Sequence, residues 1–160
     1  SFTADWPGMQ TLWMPKDGEI DASAVTRANI IDLRAGAFSS INVIPESIIN
    51  SFPPSLKNAA TYMGLNNVGL AYGSEVTVTK GGSADDVFYT STQADVSIDG
   101  GAGAYDTVYL AGSATDWVER NNSYVNDKLS RTVNLTNVEI IKYYNADTTA
   151  TTHARVDLTA

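Results

Sequence analysis

The chain has no cysteine and a single histidine, His153. Without thiols there is neither a disulfide framework nor a thiolate metal site. A zinc site of the usual kind needs about three or four suitable ligands, which one histidine does not supply. The His-Glu-x-x-His zinc-protease motif is absent, and a serine triad would have to recruit His153 from a polar tail. Positive charge is also scarce, with ten Lys and Arg against eighteen Asp and Glu and a formal net charge of −8. Such a balance disfavours nucleic acid and anionic membranes, both of which present phosphate surfaces, and suits calcium or a basic partner. No long apolar run is available for membrane insertion. The first residues show no signal-peptide pattern, so export would rely on a signal elsewhere or on a longer parent.

What is present suits one folded domain spanning 1–160, with 43% hydrophobic residues to supply a core. Residues 1–19 hold Trp6, Pro7, Gly8, Trp13, Pro15 and Gly18. They read as an irregular lead-in with a short strand near Thr11–Met14, the tryptophans acting as packing anchors. Alternation through residues 20–43, with Ile20, Ala22, Ile30, Ile31, Leu33, Phe38 and Ile41, predicts short strands. Between 45 and 65 the spacing becomes helical behind Pro45 and Pro54, with Gly64 as a stop. Two short helices are expected there, sharing an apolar face of Ile48, Phe52, Leu56, Ala60 and Met63 and covering one end or edge of the sheet. Strand spacing returns at 66–80. Residues 111–145 read as consecutive closing strands joined by antiparallel hairpins at the Asn-rich turns. The polar tail from Thr148 is expected to be loosely held until Val156-Asp157-Leu158.

The chemical pattern lies in residues 81–110. Gly81-Gly82-Ser83-Ala84-Asp85-Asp86-Val87-Phe88-Tyr89 fits the nonapeptide G-G-x-G-x-D-x-U-x, with Ala84 at the third glycine. A second copy, Gly101-Ala102-Gly103-Ala104-Tyr105-Asp106-Thr107-Val108-Tyr109, keeps the aspartate and the inward apolar residue. Glycines let carbonyl oxygens turn toward a common point while aspartate adds a hard anionic oxygen, and calcium takes about six to eight oxygens. With 90–98 as an intervening turn, Asp86 and Asp106 would face one ion. The candidate metal set is Gly81, Gly82, Ala84, Asp86, Asp99, Gly101, Gly103 and Asp106. The plainer reading is that these are ordinary turns between strands. A carboxylate-pair hydrolase using Asp85, Asp86, Asp99 or Asp106 is a further alternative. No catalytic residue is assigned.

Several stretches resemble a known family. Thr11-Leu12-Trp13-Met14, Gly18-Glu19-Ile20-Asp21-Ala22-Ser23, Ile31-Asp32-Leu33-Arg34-Ala35-Gly36-Ala37-Phe38-Ser39-Ser40-Ile41 and Asn67-Val68-Gly69-Leu70-Ala71-Tyr72-Gly73 run in the order seen at the start of the C-terminal domain of serralysin-type metalloproteases. The stretch from Asp99-Gly100-Gly101-Ala102-Gly103 through Val138-Glu139 is similar to the ending of many RTX (repeats-in-toxin) proteins. The resemblance implies a short right-handed parallel β-roll, or β-helix; with the antiparallel strands read from the residues to continue it and the two-helix segment at 45–65 as an insertion, the expected fold is all-β. The resemblance also implies bound Ca2+, a secreted bacterial protein, a catalytic domain upstream in a longer parent, and export through a type I secretion apparatus. The expected function is thus a non-catalytic calcium-binding module that aids folding, export and stability. The alternative is a surface-adhesion or carbohydrate-binding module, independent of calcium, with Tyr89, Tyr105 and Tyr109 as its platform.

Overall fold

The computed structural model describes residues 1–3, 8–61 and 63–158. Trp6 and Pro7 of the expected lead-in, Tyr62 of the second expected helix, and the last two residues lie outside that set, as does the side chain of Ala60. The chain is β-rich, with two short helices. Its strands are β1 (Gln10–Leu12), β2 (Gly18–Asp21), β3 (Ile30–Asp32), β4 (Phe38–Ser39), β5 (Val68–Leu70), β6 (Val76–Lys80) and β7 (Val87–Tyr89). They continue with β8 (Val96–Asp99), β9 (Thr107–Ala111), β10 (Trp117–Arg120), β11 (Ser123–Asn126), β12 (Arg131–Thr136) and β13 (Ile140–Tyr144). The helices α1 (Glu46–Ser51) and α2 (Pro54–Thr61) fall between β4 and β5.

The strands form two larger sheets and one small one. In the first, β2, β6, β8 and β12 run parallel as neighbours; in the second, β3, β7, β9 and β13 do the same. The chain crosses from one to the other after each short run, as in β6, β7, β8 and β9. In-register stacking then places like residues above one another. Ile31, Phe88, Val108 and Ile141 form one such column, and Ile20, Thr79, Ile98 and Leu135 another. All eight except Thr79 belong to one apolar cluster or pack against it. Burying a residue such as Phe88 contributes about 1.5–3 kcal/mol.

Val96-Ser97-Ile98, expected to be part of the 90–98 turn, together with Asp99 make up strand β8, its first and third residues buried and the second exposed. The closing strands are only partly antiparallel. β10, β11 and β12 form antiparallel pairs, whereas β13 leaves that sheet to run parallel beside β9. Asn121 and Asn122 turn the β10–β11 hairpin with φ of 49° and 64°, the left-handed geometry that a two-residue hairpin turn selects.

The helices do not present the expected buried stripe. Ile49 is buried with Ile44, Phe52 packs against them, and Ile48, Leu56 and Met63 are exposed. They form a satellite cluster rather than part of the main core. Trp13, expected as an anchor, is 69% exposed. The tail is held far more firmly than its polarity suggests. Arg34 donates from its guanidinium to the carbonyls of Ala146, Thr149 and Ala150 at 3.2, 2.8 and 2.7 Å, and Phe38 N–H donates to the Thr151 carbonyl.

Candidate functional site

Because β6 stacks on β8 and β7 on β9, the turns that join them stack too. Gly81 N–H donates to Asp99 O at 2.8 Å, Ala102 N–H to Gly82 O at 3.0 Å, and Thr107 N–H to Asp86 O at 2.8 Å. Residues 22–29 extend the stack on one side, through Ser83 N–H to Val25 O, and residues 137–139 on the other, through Glu139 N–H to Asp106 O.

A second ladder made of side chains runs beside this one. Asp86 Oδ1 accepts the Asn29 backbone N–H at 2.7 Å and Asn29 Nδ2 at 2.9 Å, while its Oδ2 accepts Gly82 N–H at 2.6 Å. The backbone N–H of Asp86 donates to Asp106 Oδ1 at 2.7 Å, and that of Asp106 donates to Glu139 Oε2 at 2.8 Å. Asn29, Asp86, Asp106 and Glu139 are therefore equivalent rungs, each one residue before a strand of the second sheet. The outer two were missed from sequence. The signal was an acidic or amide residue ahead of paired apolar residues: Asn29-Ile30-Ile31, Asp86-Val87-Phe88, Glu139-Ile140-Ile141.

The eight residues singled out from sequence share this stack but take different parts. Asp86 accepts three N–H donors, and Asp99 Oδ1 accepts from Gly101 N–H at 3.1 Å and Asn137 Nδ2 at 2.9 Å. A Cβ on Gly81 would fall 2.5 Å from Asp86 Oδ2, and its collision with the Gly100 carbonyl explains why no side chain stands there. Gly103 differs in what surrounds it. The point its Cβ would occupy lies 2.6 Å from Asp106 Oδ1, 2.7 Å from the Ala84 carbonyl and 2.9 Å from Asp106 Oδ2. Asp106 Oδ2 is buried and has no hydrogen-bond partner among the described residues. The two aspartates thus do not aim both carboxylates at one point, since Asp86 turns toward Asn29 and Gly82.

Burial pushes Asp86 up to about 7, against the three N–H donors that favour its charged form, and the Asp106 charge adds to the rise. Asp106 is raised to about 6, again chiefly by burial, with Glu139, Asp85 and Asp99 adding repulsion. The void beside Asp85 and Asp86 measures about 10 Å³, room for about one water and none for a glycoside. Among the described residues no group of three or more His, Asp and Glu side chains is placed to hold a metal ion.

His153 sits elsewhere. It is buried, with Nε2 2.7 Å from Asp32 Oδ2 and Nδ1 3.5 Å from Asp157 Oδ2. Asp32 also accepts from Arg34 Nε at 3.0 Å and a guanidinium nitrogen at 2.6 Å. Tyr89 stacks on His153 and on Tyr109, with centroids 4.5 Å apart in each pair. Of the three tyrosines expected as a platform, Tyr89 is buried, Tyr109 half-buried and only Tyr105 exposed. Among the described residues no helix is long and apolar enough to cross a membrane. No protein-family model matches the chain, and a search of curated proteins finds no match either.

Proposed function

We propose that this chain is a non-catalytic right-handed β-roll module of the RTX type, carried on an exported bacterial protein and taking calcium in its stacked Gly-Asp turns. The reading rests on one observation: the cradle at Gly103, where both Asp106 carboxylate oxygens and the Ala84 carbonyl converge and one of those oxygens lacks a partner. All three are hard oxygens, the donor type calcium prefers over softer metals. Three of about six to eight ligands come from the chain, so water would complete the shell. Bound there, calcium supplies positive charge against the carboxylates that burial and mutual repulsion now disfavour. Asp86 supports the site from behind by fixing the Gly81–Asp86 turn. An upstream catalytic domain and type I export belong to the same proposal.

The test is thermal melting in EDTA, calcium and magnesium. Calcium at a hundredfold above its dissociation constant adds about 2.7 kcal/mol to the folded state, and magnesium adds far less because it demands a tighter octahedral shell. Asp106→Asn removes that increment. Identical wild-type melting in EDTA and in millimolar calcium would refute the calcium part of the proposal.

A further inference from the structure

On the side of the coils away from the aspartate ladder, two cavities of about 380 and 400 Å³ adjoin. They share Thr92, Ala146 and Asp147, so they form one groove crossing successive turns. Each falls within the range of about 300–1,000 Å³ typical of small-molecule sites. We infer that this groove binds a linear, uncharged oligosaccharide, independently of the calcium proposed above.

The chemistry of the walls selects the ligand class. Gln93, Asp116 and Asp147 supply polar groups along the groove, and the Tyr143 ring, 38% exposed, supplies an apolar face. Asp116 is ion-paired with Lys128, but the Asp147 and Glu75 carboxylates that also line the groove repel anionic ligands such as phosphates and uronates. Arg34 does not offset them, because its guanidinium is taken up by Asp32 and three main-chain carbonyls. Nor does the groove suit a bare cation, because a donor is buried beside it. Asn126 is 1% exposed, its Oδ1 accepts Leu129 N–H at 3.1 Å, and its Nδ2 has no partner among the described residues. That nitrogen lies 3.7 Å from where a Cβ on Gly112 would stand. Gly112, at φ 110°, lines the groove and carries no side chain to screen the donor.

An unpartnered buried donor is costly, so a ligand that satisfies it gains affinity. A sugar hydroxyl both donates and accepts, and so can serve carboxylate and amide at once. Its pyranose C–H face suits the Tyr143 ring. The groove is also preformed, since Arg34 ties down the wall at residues 146–150, which limits the ordering cost of binding.

The probes are cello-, xylo-, manno-, malto- and chito-oligosaccharides of three to six units, titrated calorimetrically into the wild-type chain in EDTA, with oligogalacturonate as the anionic control. At least one neutral series binds, oligogalacturonate does not, and Tyr143→Ala weakens binding roughly tenfold, the worth of about 1.4 kcal/mol. Asn126→Asp, which replaces the donor by an acceptor, weakens it similarly. Should Asn126→Asp fail to fold, amide shift mapping on the wild type decides, with perturbations expected at 91–93, 112–116 and 143–147. No binding by any neutral series, shifts outside those turns, or binding only of the anionic control would overturn the inference.

Discussion

Gly81 and Gly100 owe their identity to crowding. Neither has a positive φ, yet a Cβ on either would run into a carbonyl of the adjoining coil, Gly100 O and Asn137 O respectively. Gly100→Ala should therefore destabilise by about 1–3 kcal/mol, the usual cost of overpacking, read as a shift in denaturant midpoint. The two buried aspartates predict a pH dependence in EDTA. Their folded values, about 7 and about 6, stand above the ordinary 3.8, so between those limits the native state holds more protons than the unfolded chain. Stability then falls as pH rises through that window. Melting temperatures measured from pH 4.5 to 7.5 should decline, and Asp106→Asn should flatten the part of the slope near 6. The motif itself was legible from sequence because aspartate spacing is local. What Asp86 does with its oxygens was not, because Asn29 reaches it from a distant stretch of chain.

Among the elements, the strands were mostly readable and the segments between them were not. β8 escaped notice because Val96-Ser97-Ile98-Asp99 offers only one turn of alternation after a polar run, and it becomes a strand by pairing with β6 and β12. The tail from Ala146 to His153 has no periodicity to read. Its order comes from Arg34, Asp32 and Asn66, the last of which accepts His153 N–H at 2.9 Å. Arg34→Ala should leave Asp32 buried without its main partner and release three carbonyls, at a cost of about 3–5 kcal/mol. Limited proteolysis within 146–152 should accelerate in step. The helices misled in the opposite direction, since a helical pattern of apolar residues does not say whether anything lies opposite. Ile48→Lys and Leu56→Lys, at exposed positions, should each change stability by less than about 0.5 kcal/mol. A larger loss in urea denaturation would mean that these side chains are covered after all.

For the molecule as a whole, a β-rich chain with parallel strands was foreseen, while the route of the chain was not. β2 and β3 pair with β6 and β7, yet residues 33–75, with both helices and strands β4 and β5 of the small third sheet, intervene. That detour sets an order of assembly. Strands β6 to β9 follow one another closely and can zip together from local contacts, whereas the coil of β2 and β3 must wait for a long loop to close. During that wait β6 and β7 offer bare strand edges, the template on which a second chain can pair. Refolding yield should accordingly depend on chain concentration through the arrival of the N-terminal coil, long before any difference is visible in the finished fold.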